Sequence, residues 1–442
     1  MNMDKLEIPA GAKAILDTLC RHGHETYVVG GCVRDSLLGL RPKDWDICTA
    51  ALPERVEQLL AGYRIVETGL KHGTVTILAD GAPYEVTTFR VDGTYSDNRR
   101  PDSVLFVSDL REDLARRDFT VNAMAYSPDA GLVDPFGGRD DLQSGLIRCV
   151  GDAGERFAED ALRVMRALRF ASVYEFSIED ATARAVHENA RRLSHIAAER
   201  ISAELCKLLA GKGVLPILLD YSDVLTVIIP ELAPCAGFLE NGSSYTVYEH
   251  MSRAVAAYEG QDKAVLLALL LHDIAVPVCG PGQDHALRGR DMAEEILRRL
   301  RLDGKICRDV PELIGCHDAD IPASKSAVKR WLNRLGPEGL DRLLAVRLAG
   351  LAAGTDETRQ QRSDQCRRLG DIKREILAAK ECFSLDGLAV RGGDLIALGV
   401  PEGKRVGDIL RSLLDMVIDG KAENERGALL RQAESIQRSV GK

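Results

Sequence analysis

Asp44 and Asp46 flank Trp45 in the stretch Lys43-Asp44-Trp45-Asp46-Ile47-Cys48. In an extended strand, alternation turns both carboxylates to one face and Trp45 and Ile47 to the other. Two like charges side by side repel, and Asp is a poor strand former. A hard cation between them resolves the conflict, and Mg²⁺ characteristically takes one or two carboxylates together with phosphate oxygens. Just upstream, the apolar run Tyr27–Val29 ends in Gly30-Gly31, and a helix-like stretch follows with Arg34 and Asp35 in its first turn. Glycines let backbone N–H groups approach a phosphate chain, and a helix start favours negative charge. These parts together imply a site for a metal–triphosphate complex, with Asp44 and Asp46 as Mg²⁺ ligands. Glu85, in Tyr84-Glu85-Val86-Thr87, is the candidate third carboxylate, against the competing reading of a solvated strand residue. The chemistry such a set suits is nucleotidyl transfer. One metal lowers the pKa of an attacking 3′-hydroxyl, and a second holds the leaving pyrophosphate.

Two further clusters fit that chemistry. Arg116-Arg117-Asp118 precedes an apolar stretch expected to be helical, and the guanidinium fork matches phosphate oxygens. Asp118 is placed to cap that helix or to orient the arginines. Glu159–Ala171 is expected as one helix. On it Glu159 and Arg163 would form an ordinary surface pair, while Asp160 and Arg163, three apart, would be neighbours. A carboxylate accepts from an amino group and a guanidinium donates to a ring nitrogen. The Watson–Crick edges of cytosine and adenine both present an amino donor beside a ring-nitrogen acceptor, whereas uracil and guanine present the reverse. An Asp/Arg pair therefore accepts C and A and leaves unpaired groups against U and G, a discrimination that can reach roughly 10⁴.

The elements that must position these groups change character along the chain. Up to about residue 140, strand-like runs at Tyr27–Val29, Trp45–Cys48, Thr74–Leu78, Tyr84–Phe89 and Leu132-Val133 alternate with helical Ala12–Leu19 and Pro53–Leu60. After Asp152 helical spacing takes over, with candidates at Glu179–Leu193, Ala198–Leu209, Val247–Tyr258, Lys263–His272, Asp291–Leu300 and Lys325–Leu335. The chain's 442 residues suit about three domains. No signal-like N-terminus and no apolar run of spanning length is present. Eleven cysteines without a Cys-x-x-Cys pair read as reduced, cytoplasmic thiols. A net charge of −9 argues against coating nucleic acid by bulk charge but leaves room for local basic clusters.

The ordered motifs Gly30-Gly31-Cys32-Val33-Arg34-Asp35, Asp44-x-Asp46, Arg116-Arg117-Asp118 and Glu159-Asp160-x-x-Arg163 resemble those of bacterial tRNA nucleotidyltransferases. These are the CCA-adding enzymes of the type that shares a head domain with poly(A) polymerases. The segment Arg90 to Pro101, with Tyr95, Arg99 and Arg100, resembles their flexible loop for A addition. The resemblance implies an α+β fold: a polymerase-β-like nucleotidyltransferase head with a small mixed sheet, followed by a long all-α neck, body and tail. It implies a head at 1–143, a neck at 144–205, a body at 206–345 and a tRNA-binding tail at 346–442. Asp44 and Asp46 would bind Mg²⁺, and Gly30, Gly31, Arg34 and Arg117 would hold the nucleotide. Asp160, Arg163, Arg166 and Arg169 would read and position CTP or ATP. The enzyme would add C, C and A to the tRNA 3′ end without a nucleic-acid template. An A-adding-only enzyme and a poly(A) polymerase remain as alternatives. The segment 63–78 and the lack of a basic tail speak against the latter. A different class of activity also stays open, because His250, His272-Asp273, His285 and His317-Asp318 resemble the pattern of HD-type metal-dependent phosphohydrolases. Against that, Ala275-Val276 stand where active members often carry Gly-Lys. The oligomeric state and the role of residues 350–442 stay open.

Overall fold

The computed structural model describes residues 5–66, 69–93, 103–239, 244–280, 283–353 and 359–440. The chain divides into two compact units, residues 1–233 and 234–442. The expected boundaries at 205/206 and 345/346 fall inside the helices Ala198–Leu209 and Lys325–Ala353.

The first unit opens with α1 (Ala10–Arg21), whose Ala12, Ile15, Leu16 and Leu19 recur at helical spacing and are buried. Its sheet is built from β1 (Thr26–Val29), β2 (Asp46–Thr49), β3 (Arg64–Val66), β4 (Thr74–Ala79) and β5 (Ala82–Thr88). After the small hairpin of β6 (Arg90–Asp92) and β7 (Val104–Phe106), β8 (Ala125–Ser127) and β9 (Gly131–Val133) complete it. The order is β3-β4-β5-β2-β1-β8-β9, antiparallel throughout except for the parallel pair β2/β5. Val29, Cys48, Phe89, Leu110, Leu114 and Ala125 pack beside this sheet as one buried cluster. Helix α2 (Gly31–Leu37) springs directly from β1.

The expected strands all form, each shifted by one or two residues at its ends. Within the seven-stranded sheet, β3 and β8 had no strong pattern of their own, nor did β6, β7 and the short parallel pair Leu146–Ile147 and Ser177–Ile178 outside it. The stretch after Arg117 is not a helix. It is a single 3₁₀ turn, Thr120–Asn122, followed by β8, because the segment is needed to pair with β1. The expected helix Glu159–Ala171 is also broken. Among the helices that follow α2, α6 (Ala153–Glu159) ends and α7 (Leu162–Tyr174) begins across an extended Asp160. Between α2 and α6 lie α3 (Pro53–Leu59), α4 (Leu110–Ala115) and α5 (Gly138–Gln143).

The second unit is helical. Lys263–Leu271 is apolar on every side, and each residue from Ala264 to Leu271 is buried. Such a helix belongs in the middle of a bundle. A capping box of Thr246 and Glu249 starts Val247–Ala257, and Asp262, Asp284 and Asp303 cap the helices that follow them. The candidate Lys325–Leu335 runs on to Ala353 past a kink at Gly336, where φ is 72°. A separate cluster including Leu395, Ile409, Leu413, Val417 and Leu429 forms the core near the C-terminus. Among the described residues no helix is long and apolar enough to cross a membrane.

Candidate functional site

The site begins at the parallel pair β2/β5 of the head sheet. Register places Asp46 of β2 directly beside Glu85 of β5, so their side chains emerge on the same face about 5 Å apart. Asp44 lies in the approach to β2 rather than within it, yet the alternation holds. Asp44, Asp46 and Glu85 are exposed, while Trp45, Ile47 and Val86 are buried. The Asp46 carboxyl is raised above its ordinary range. Desolvation is the main cause; Arg117 opposes it, and the charges of Glu85 and Asp44 add to it. Three carboxylates thus lie near one another, and their hard oxygens are the donors that Mg²⁺ takes. Beneath them, burial pushes the Cys32 thiol up to about 12, which leaves it no role as a nucleophile.

Gly30 closes one wall. Its φ of 79° and ψ of −127° suit glycine alone, and a Cβ there would sit 2.9 Å from Arg117 Nη1. The glycine is therefore required both by backbone shape and by the close passage of that guanidinium. Gly31 opens α2, with Arg34 one turn on. Arg116 and Arg117 are held by Asp113, which is fully buried: Arg116 donates to its Oδ1 at 2.8 Å and Arg117 to its Oδ2 at 3.3 Å. Arg117 Nε is buried without a hydrogen-bond partner, while its Nη1 passes beside Gly30.

Asp118 does not cap a helix. Its Oδ2 accepts from Arg166 Nε at 2.7 Å and Nη2 at 2.5 Å, and its Oδ1 accepts from the Asn122 side chain at 3.0 Å. Asn122 Oδ1 in turn accepts from Arg34 Nη1. Arg34 also donates to Asp35, which accepts from the Tyr174 hydroxyl at 2.9 Å. Burial works against the Asp118 charge, but Arg166, Asn122 and Arg163 outweigh it and hold the carboxyl well below the usual range. The Arg34 guanidinium lies 5.0 Å from the Phe170 ring centre and 4.7 Å from that of Tyr174. Arg169 lies 3.9 Å over Phe170 and pairs with Glu204 at 2.7 Å. Arg34, Arg166 and Arg169 thus form one layer around Phe170, tying α7 to α2.

Asp160 and Arg163 are not paired. Breaking the helix at Asp160 frees its Oδ1 to accept from Leu162 N at 3.0 Å, capping α7, and its Oδ2 meets Arg200 at 3.3 Å. Arg163 is buried and donates to Glu159 at 2.8 Å and to the Arg116 carbonyl at 2.9 Å. Residues 94–102, which include Tyr95, Arg99 and Arg100, lie outside the described residues. Sequence reasoning gave no role to Asp113, Asn122, Phe170, Tyr174 or Glu204. Asn122 lies four residues after Asp118, but nothing in sequence joined Tyr174 to Asp35.

Residues 26–148 match the family model for the poly(A) polymerase head domain. Residues 175–235 match that for an RNA- and SrmB-binding site of polymerase A, and 286–433 that for tRNA nucleotidyltransferase domain 2. A CCA-adding enzyme of Geobacillus thermodenitrificans is 38% identical over 94% of each chain. The crystal structure of Bacillus stearothermophilus CCA-adding enzyme in complex with CTP superposes with a TM-score of 0.72 at 31% identity, over 98% of each chain. A Thermotoga maritima CCA-adding enzyme complexed with tRNA shares the fold, with a TM-score of 0.62 at 22% identity over 96% of this chain and 94% of its own.

Proposed function

Since this chain belongs to the CCA-adding enzymes and adds C, C and A to tRNA 3′ ends from CTP and ATP, we propose that Asp44, Asp46 and Glu85 hold the Mg²⁺ on which transfer depends. The observation that carries this reading is the register that sets Asp46 beside Glu85, with Asp44 adjoining. Mg²⁺ bound there would stabilise charge on the attacking and leaving oxygens. The 3′-oxygen of the RNA bonds to the α-phosphorus, the bond to pyrophosphate breaks, and the hydroxyl proton leaves to water. Gly30 and Gly31 admit the phosphate chain to the backbone. Arg117, whose Nη1 passes beside Gly30, meets its charge, and Arg34 shapes the wall beside it. The helical segments beyond the head take the tRNA, and the enzyme works in the cytoplasm.

Base choice is assigned to Asp160 and Arg163, with Arg166 and Arg169 supporting them. In the free protein both readers are occupied, so nucleotide binding exchanges Arg200 and Glu159 for the base edge. Asp160, held by the longer contact, is the readier of the two. Asp160→Ala is expected to lower the preference for CTP and ATP over UTP and GTP by about 10²-fold or more while triphosphate affinity changes little. Competition incorporation assays read this, and an unchanged base preference rejects the role.

The function itself is tested with tRNA ending before CCA, after C and after CC, each given CTP, ATP or both. Full extension of the first substrate with both nucleotides is expected, and of the last with ATP alone. Extension of the last substrate only would reduce the enzyme to A addition.

A further inference from the structure

Three arginines crowd around Phe170, and each has its own acid. Arg166 pairs with Asp118, Arg169 with Glu204 and Arg34 with Asp35. Asp118 and Glu204 keep 8% and 9% of their side chains in water, but Asp35 keeps 21%. The Arg34 pair is also the least natural of the three. Successive residues of a helix point about 100° apart and do not face each other, so the acid of such a pair ordinarily turns to solvent. Here Asp35 Oδ1 accepts from Arg34 Nε at 2.9 Å and from Nη2 at 2.8 Å. A donor from outside α2 holds it there. The hydroxyl of Tyr174, the last residue of α7, donates to the same oxygen at 2.9 Å.

The ring behind that hydroxyl has little freedom. Arg166, Phe170 and Tyr174 recur every four residues and so share one face of α7. The Tyr174 ring centre lies 6.1 Å from that of Phe170 and 5.7 Å from that of Phe176, and the Arg34 guanidinium lies 4.7 Å over it. Burial pushes the Tyr174 hydroxyl up to about 12, so it remains a donor at neutral pH. Without that donor Asp35 would exchange Arg34 for water, and the guanidinium would face Arg166 and Arg169 with its own acid gone.

Arg34 still has N–H groups to offer. Asp35 and Asn122 take three of its five, which leaves one on each Nη. Nη2 stands 3.5 Å from where a Cβ on Gly31 would lie, so this end of the guanidinium adjoins the backbone proposed to admit the phosphate chain. We propose that Tyr174 is a positioning residue for nucleotide binding: its hydroxyl holds Asp35 against Arg34 and so keeps the Arg34 fork in place beside Gly31 before CTP or ATP arrives. This role rests on the reading that Arg34 holds the nucleotide. It gives α7 a second task, since the helix that carries Arg163 also sets the phosphate grip on α2.

Tyr174→Phe removes one oxygen and keeps the ring. KM for CTP on tRNA ending before CCA, and for ATP on tRNA ending after CC, should each rise about fivefold, with kcat within about twofold and KM for tRNA unchanged. The split follows because a grip on charge present in ground and transition states alike is uniform binding. Loss of packing alone would lower the melting point and the yield of active enzyme without separating KM from kcat. Arg34→Lys should raise the same KM values, and adding Tyr174→Phe to it should change them by less than about twofold. Where melting shows Arg34→Lys to be unfolded, Asp35→Ala closes the same cycle, since the hydroxyl then has no carboxylate to hold. A native nucleotide KM in Arg34→Lys would sink the reading of Arg34 and the role of Tyr174 with it. A raised KM there beside a native one in Tyr174→Phe, or a Tyr174→Phe effect that persists in full without Arg34 or Asp35, would overturn the role of Tyr174 alone.

Discussion

Asp46 stands beside two like charges. Desolvation does most to raise its carboxyl, Arg117 opposes the rise, and the charges of Glu85 and Asp44 add to it. A divalent cation relieves the repulsion of all three carboxylates together. Asp46→Asn relieves part of it with no cation and removes a ligand. Nucleotide addition should therefore fall by about 10³-fold or more, the equivalent of several kcal/mol of lost metal stabilisation. The metal-free variant should melt at or above the temperature of the native chain, and added Mg²⁺ should raise its melting point less. Calorimetry with and without chelator, beside a single-turnover assay, reads both effects. A folded variant with native turnover would remove Asp46 from the reaction.

Helix α7 is held to the head by a chain of groups running from Arg166 through Asp118 and Asn122 to Arg34. Asp118→Asn leaves Arg166 without its counter-charge. The cost is expected toward the lower end of about 3–5 kcal/mol, because Arg166 keeps 34% of its side chain in water. The sign with pH follows from the depressed carboxyl. Its contribution is complete above the unfolded value of about 3.9 and is lost as pH falls below it toward the folded value. Urea melts should thus separate the variant from the native chain at pH 7 and bring them together as pH drops under 4. A gap that stays constant with pH would show that the Asp118 charge contributes nothing. Much at this scale was legible in sequence. Period-two runs marked β4 and β5, and period-3.6 runs marked α1 and Ala198–Leu209, because in each one face is buried, while β1 and β2 stood out as short runs buried on both faces. The placing of Gly30 at the end of β1 and of Asp46 at the start of β2 was legible because spacing along one short segment sets it. The break at Asp160 was not, since its carboxylate both caps α7 at Leu162 N and meets Arg200 on a helix distant in sequence. Nor was β8, whose three residues become a strand only by pairing with β1 and β9. The Phe170 layer joins residues from α2 and α7 that no local pattern relates.

At the scale of the whole molecule, an enzyme with a net charge of −9 handles a polyanion. Long-range attraction cannot account for that, so grip must come from local cations whose own acids are already neutralised. Several arginines fit this description poorly, because Arg116, Arg163 and Arg169 are each committed to a partner inside the protein. The number of phosphates neutralised by tRNA binding should therefore be small. Each contact on duplex RNA releases counterions, and the slope of log affinity against log salt is close to −0.9 per phosphate for B-form DNA and shallower for single strands. A slope of about −2 to −5 is expected, shallower than for proteins that neutralise eight or ten phosphates. Under the role proposed for Asp44 as a metal ligand, Asp44→Asn should leave the slope unchanged while abolishing addition. Filter binding between 50 and 300 mM KCl measures it; a slope near −8 would mean that the acidic chain hides a far larger basic surface than its pairing pattern allows.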